Sequence, residues 1–217
     1  MAESDVTLRT AVIDDEAEMA RVDALSWPST LATRQAEFAT RIRTYPLGQL
    51  VAEHKGIVVA TASAQRITET FLATHGARYA LITDNNRFIG SHTPDGEIYQ
   101  LIGVGVSPKF RGRQLGRELV DRQIELARSL KDVRRILGFT RPALYHRNSQ
   151  IPIEQYVHRR GPDGQLLDPV LAFHLDAGAR VVSIHPNFRP NDDEACRYGV
   201  LIEYPASSGE TAGLERR

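Results

Sequence analysis

Residues 101–117 read LIGVGVSPKFRGRQLGR, an apolar run followed by a short loop of Arg and Gly that leads into a helical pattern. Such a loop turns free backbone N–H groups, backed by the dipole of the helix that follows, toward an anion. The candidate anion-binding positions are Arg111, Gly112, Arg113, Gln114, Leu115, Gly116 and Arg117. The anion need not be a nucleotide. A nucleotide phosphate loop ends in Gly-Lys-Ser/Thr and a dinucleotide fold carries GxGxxG, and the stretch has neither. Residues 108–135 hold nine Lys/Arg against four Asp/Glu, a net of plus five in a chain whose total is zero. That local field suits an acidic cofactor or an acidic protein partner. Cys196 is the only cysteine, which excludes an internal disulfide and a cysteine-rich metal site. His146 and His158 sit in a polar loop without metal-like spacing to a third ligand, so no metal is expected.

These residues need a scaffold, and the pattern supplies strands and helices in turn. Alternation predicts a strand over 6–12, then an amphipathic helix over 13–25 with Asp14 and Asp15 in its first turn, ended by Trp27-Pro28. A second, more polar helix is expected over 33–43. Residues 48–53 and 57–65 read as a hairpin with Gly56 in the turn. Residues 66–97 carry mixed signals and read as an insertion that can line a pocket. The central unit is a strand over 99–106, the loop, and a helix over 114–130 with an apolar stripe at Leu115, Leu119, Val120, Ile124 and Ala127. A strand over 135–140 should lie parallel to the 101–106 strand, because a strand, crossover helix and strand pair that way. Residues 141–165 are polar and turn-rich. A helix then starts at Asp168 or Pro169 and stops at Gly178, and strands follow over 179–184 and 197–204.

The 217 residues suffice for one sizeable core, read as a single α/β domain over 1–204 with a flexible tail over 205–217. No run is long enough to span a bilayer, and MAESDVTLR lacks a basic start followed by an apolar core. A cytoplasmic protein is therefore expected, with neither a membrane nor nucleic acid as partner.

The Arg111-Gly112-x-x-Leu115-Gly116 loop with its Val-x-Pro-x-Phe lead-in resembles the signature of the Gcn5-related N-acetyltransferase (GNAT) superfamily, with Gln114 standing where most members have glycine. The resemblance implies a mixed central sheet with a splayed parallel strand pair flanked by helices. It implies coenzyme A pyrophosphate on the loop amides and the thioester in the splay, beside the backbone of Gly103, Val104, Gly105 and Val106. In ordinary members a tyrosine on the following helix protonates the leaving thiolate. Here Phe173-His174-Leu175-Asp176-Ala177-Gly178 puts histidine in that place. The run Asp168–His174, Pro186–Asp192 and Tyr198–Tyr204 further resembles the GNAT-like loading domains of modular polyketide synthases. Those domains decarboxylate malonyl-CoA and were described as passing acetyl to the phosphopantetheine thiol of an acyl carrier protein. Their active-site threonine, histidine, arginine and tryptophan correspond to Thr140, His174, Arg189 and Trp27.

The chemistry follows from the residue types. Loss of carbon dioxide from a malonyl thioester leaves an enolate, so the site needs donors at the thioester oxygen, a dry place for the carboxylate and a proton for carbon. Gly105 and Val106 N–H groups would meet the oxygen, Thr140 would hold the carboxylate or enolate, and His174, titrating near neutrality, would supply the proton. Arg189 would orient the carboxylate or meet a carrier arm, and Trp27 would wall the chamber. Tyr145 and Tyr156 are candidates to face the tunnel. A conventional N-acetyltransferase acting on an amine, with Glu97 near the splayed strands, and a non-catalytic CoA-binding module remain the alternatives.

Overall fold

The computed structural model describes residues 5–206. One seven-stranded sheet forms its centre, from β1 (Val6–Thr10), β2 (Gln49–His54), β3 (Ile57–Ile67), β4 (Ile98–Val106), β5 (Arg135–Thr140), β6 (Arg180–His185) and β7 (Gly199–Tyr204). Their order is β1-β2-β3-β4-β5-β7-β6. Only β4 and β5 run parallel, and the other neighbours are antiparallel. The β2–β3 hairpin turns through Lys55 and Gly56 at φ 51° and 78°, the two left-handed residues that a tight hairpin loop requires.

Seven helices accompany the sheet among the described residues: α1 (Glu16–Ser26), α2 (Gln35–Thr44), α3 (Glu69–His75), α4 (Tyr79–Ile82), α5 (Leu115–Ser129), α6 (Ile153–Tyr156) and α7 (Pro169–Leu175). The predicted stripe of α5 is its buried face, Leu115, Leu119, Val120, Ile124 and Ala127, joined by Gln123. This crossover sets β5 beside β4 as expected. The 13–25 helix begins instead as a short 3-10 turn over Ile13–Asp15, and β1 stops at Thr10. The expected 168–178 helix ends at Leu175, and the chain leaves it through Gly178 at φ 89°.

The 66–97 segment is more ordered than its mixed pattern suggests. β3 runs on to Ile67, Thr68 caps α3 by accepting from the Phe71 N–H at 3.0 Å, and Ile82 and Phe88 are buried. The segment is tied to the β6–β7 loop by the bond from the Tyr79 N–H to the Phe188 carbonyl, 2.9 Å. Of the predicted flexible tail, residues 207–217 lie outside the described residues. No described helix is long and apolar enough to cross a membrane.

Candidate active site

The β4–β5 ladder runs from Ile98↔Arg135 to Leu101↔Gly138 and stops. At the same point the β3–β4 register jumps from Ala64↔Leu101 to Ser63↔Gly103, leaving Ile102 as an extra residue on β4. A bulge bends its strand and ends pairing. It carries the end of β4 away from Phe139 and Thr140, and the two strands part. A cavity of about 280 Å³ fills the opening, and its walls are mostly apolar. Trp27, Thr140, His174 and Arg189, from four different parts of the chain, all line it, together with Val104, Val106 and Gly116. Gly105 lets α1 approach: a Cβ there would lie 3.0 Å from Ser26 Oγ.

His174 reaches the cavity from α7, whose start is fixed by one buried carboxylate. Asp168 Oδ1 accepts from the N–H groups of Val170 and Leu171 at 3.0 and 3.1 Å, and Oδ2 from the Leu144 N–H and the Tyr156 hydroxyl at 2.8 and 3.0 Å. At the other end, Nδ1 of His174 lies 2.6 Å from the Tyr204 hydroxyl. Among the described residues Nδ1 is the one acceptor within reach of that hydroxyl's proton, and we assign the hydroxyl as donor to Nδ1 and the ring proton to Nε2 on that ground. The near-neutral titration expected of His174 does not hold. Enclosure by protein lowers its pKa to about 4, because no nearby acid offsets the cost of burying a cation. Burial pushes the Tyr204 hydroxyl the other way, so it keeps its proton.

Thr140 ends β5 and is 4% exposed, and its Oγ1 is buried without a hydrogen-bond partner. Such an atom costs free energy until a ligand or water meets it. The next residue, Arg141, donates through Nε to Asp192 Oδ2 at 2.7 Å and through Nη2 to Glu194 Oε2 at 2.8 Å. These bonds anchor the β6–β7 loop that carries Arg189 to the end of β5. Arg189 has no ion pair among the described residues. Its guanidinium carbon lies 3.5 Å from the centroid of the Tyr79 ring and 5.4 Å from that of Trp27.

The anion loop keeps its N–H groups free by left-handed turns. Gly112 has φ 78° and Gln114 φ 63°. Gln114 is therefore not the first helical residue. It is the cap of α5, in the conformation that glycine reaches without strain. The N–H groups of Leu115, Gly116 and Arg117 follow in the first turn of α5, where a helix leaves its amides unpaired. Arg111 donates to the carbonyl of Leu25 at 3.1 Å, Arg117 holds Asp121 at 2.8 Å, and the Arg113 guanidinium lies 4.9 Å from the Phe110 ring centroid.

Other candidates lie elsewhere. Glu97 precedes β4, at the paired end of the ladder, where its carboxylate accepts from the Glu69 N–H at 2.9 Å. That bond holds its pKa down. Tyr145 and Tyr156 are buried and spend their hydroxyls on the Ile151 carbonyl and Asp168, outside the cavity wall. The His146 ring contacts the Glu194 carbonyl at 2.9 Å, Cys196 is half-buried outside any disulfide, and no described group of three or more His, Cys, Asp or Glu is placed to hold a metal. Sequence reasoning missed Arg141 and Tyr79. Arg141 directly follows Thr140 and could have been noticed beside Asp192, whereas Tyr79 carries no local signal.

The profile described as Acetyltransferase (GNAT) family matches residues 14–147. Among curated proteins, the uncharacterized N-acetyltransferase YkwB of Bacillus subtilis (strain 168) is 31% identical over 82% of this chain and 77% of its own. The probable hydrolase YhcX of the same organism is 28% identical over 82% of this chain, which spans about a third of its length, 34%. Among solved structures, the GphF GNAT-like decarboxylase in complex with isobutyryl-CoA superposes with a TM-score of 0.81 at 32% identity, covering 93% of this chain and 100% of its own. The loading GNATL domain of CurA from Lyngbya majuscula gives 0.83 at 26% identity, over 93% and 98%.

Proposed function

The chain belongs to the GNAT acetyltransferase family, as a GNAT-fold acyltransferase, and from that premise we propose that it decarboxylates malonyl-CoA to acetyl-CoA. Passage of the acetyl group to the phosphopantetheine thiol of an acyl carrier protein is part of the proposal. The observation that carries it is the make-up of the cavity wall. Among the described residues the wall holds an unpartnered threonine hydroxyl, an arginine without a counter-ion and an uncharged histidine, and it contains no Asp or Glu. Such a wall accepts a substrate carboxylate and repels none.

In this reading the loop amides from Gly112 to Arg117 hold the CoA pyrophosphate, and the thioester lies beside Val104 and Val106, whose N–H groups alternate with those of Gly105 and Ser107 bonded to β3, so the expected Gly105 donor is replaced by Val104. Thr140 and Arg189 receive the carboxylate. The bond from C2 to the carboxylate breaks, carbon dioxide leaves, and the electron pair moves into the enolate, whose oxygen the β4 donors stabilise. Nε2–H of the neutral His174 then protonates C2. A thioester enolate is a stronger base than an imidazolate, so a neutral imidazole can make this transfer and recover its proton from solvent. Trp27 walls the chamber and, with the other apolar side chains, keeps it dry. The likeness to a protein described as a GNAT-like decarboxylase supports the decarboxylation, and the likeness to a loading domain supports the carrier.

Acetyl transfer to an amine is the second reading, favoured by the description of YkwB. It lacks a carboxylate base in the cavity wall. Incubation with malonyl-CoA, with and without a phosphopantetheinylated carrier protein, followed by mass spectrometry of both thioesters, tests the proposal. Acetyl-CoA is expected, and acetyl-carrier where transfer occurs. Unchanged malonyl-CoA together with amine acetylation from acetyl-CoA would favour the second reading.

A further inference from the structure

Arg189 is held in an unusual way. An arginine that must stay in place usually has a carboxylate partner, but a carboxylate would cancel the charge a substrate carboxylate needs. Arg189 lies instead on an aromatic face, 3.5 Å from the centroid of Tyr79. A ring holds a guanidinium through its quadrupole while leaving the N–H donors free at their edges. Asp23 lies outside ion-pair distance of Arg189 and spends Oδ2 on the Thr33 N–H at 2.6 Å; burial raises its pKa, and the Arg189 charge offsets only a lesser part of that rise.

Tyr79 is itself fixed from behind. Its hydroxyl donates to Asn86 Oδ1 at 2.7 Å, an oxygen that also accepts from Nη2 of the buried Arg41 at 2.8 Å, while Arg41 Nε donates to the Asn86 carbonyl at 2.7 Å. The Arg41 guanidinium is clamped 4.5 Å from the Phe88 ring centroid and 5.3 Å from that of Phe38. Asp84, Asn85 and Asn86 all take positive φ, 46°, 52° and 71°, to present that amide. Strain of this kind persists only where surrounding contacts enforce it. Tyr79 and Arg189 also stand between the acyl cavity and an outer groove of about 610 Å³ that both residues line.

We infer that Tyr79, fixed by Asn86 and Arg41, is a positioning residue that holds the uncompensated Arg189 toward the acyl cavity and so gives the site its preference for an acyl group ending in a carboxylate. The inference rests on the malonyl reading of the same cavity. Its test compares KM for malonyl-CoA with the inhibition constant of acetyl-CoA in the wild type, Tyr79→Phe and Tyr79→Leu. Tyr79→Leu should raise the malonyl-CoA KM by about tenfold, leaving acetyl-CoA inhibition unchanged. Tyr79→Phe, which keeps the ring but loses the bond to Asn86, should raise the malonyl-CoA KM less than Tyr79→Leu does, again without changing acetyl-CoA inhibition. Equal weakening of both thioesters in Tyr79→Leu, or no change in either, would overturn it. If the wild type fails to turn over malonyl-CoA, calorimetric binding of the same two thioesters reads the same ratio. A malonyl-CoA preference in the wild type that is lost in Tyr79→Leu then supports the inference, and equal binding of both thioesters by the wild type refutes it.

Discussion

The Tyr204 hydroxyl stands 2.6 Å from Nδ1 of His174, and this contact orients the one imidazole in the cavity wall, while burial sets its charge. Burial lowers the imidazole pKa to about 4, so the ring is neutral throughout the physiological range. The rate of malonyl-CoA turnover should therefore show no inflection near the ordinary histidine value of about 6.5. A pH profile of wild-type kcat between 5 and 8 checks this, and an acidic limb near 6.5 would contradict it.

The same depression has a consequence for stability. The unfolded chain binds a proton to His174 near pH 6.5, while the folded chain refuses it until about pH 4. Stability from this group is thus present above the unfolded value and is lost as pH falls from about 6.5 toward 4, amounting to about 2 kcal/mol by pH 5. His92 and His185 are also lowered by burial, so the wild type alone does not isolate the effect. Denaturant unfolding at pH 7 and pH 5 should show His174→Gln losing about 2 kcal/mol less than wild type over that interval.

Thr140→Val separates the hydroxyl from the shape. Because Oγ1 is buried and unpartnered, its removal should leave the ligand-free protein equally stable or up to about 1 kcal/mol more stable. Turnover of malonyl-CoA should nevertheless fall by about tenfold or more, the loss of one hydrogen bond to a charged group. Thermal unfolding and steady-state kinetics on one preparation check both signs.

Asp168→Ala should be costly far from the reacting atoms. It removes the cap of α7 and leaves the Leu144 N–H and Tyr156 hydroxyl without their acceptor. A loss of about 3 kcal/mol in urea unfolding is expected, from the cap and the stranded buried donors together. Asp168→Asn keeps a side-chain oxygen for the cap and should lose less.

Gln114→Gly should stabilise the protein by about 1 kcal/mol, because Gln114 holds a left-handed φ of 63° that costs a residue with a Cβ more than glycine. CoA affinity should be kept, since the amide N–H remains. Differential scanning calorimetry and CoA titration read the two quantities.

These residues also mark what the sequence made legible. The strand, Arg/Gly loop and helix over 101–130 were readable because apolar periodicity and the loop are local properties. The gathering of Trp27, Thr140, His174 and Arg189 was reachable only through resemblance, since the splay that brings them together depends on the bulge at Ile102. The left-handed Gln114 escaped because φ follows the path of the whole loop. The lowered pKa of His174 escaped because it comes from enclosure by α7, β7 and the cavity walls. Tyr79 lies in a segment without periodicity, and its role depends on packing against a loop more than a hundred residues later. The direction of Glu97 was left open for a similar reason, because a strand pattern does not reveal at which end its ladder opens.

The most direct test of the account is the fate of malonyl-CoA supplied alone, with neither amine nor carrier protein present. The account predicts acetyl-CoA and carbon dioxide in equal amounts from the wild type, and neither from His174→Ala, although that variant should still bind CoA. Malonyl-CoA left intact by a wild-type protein that binds CoA would contradict it, as would equal turnover by His174→Ala.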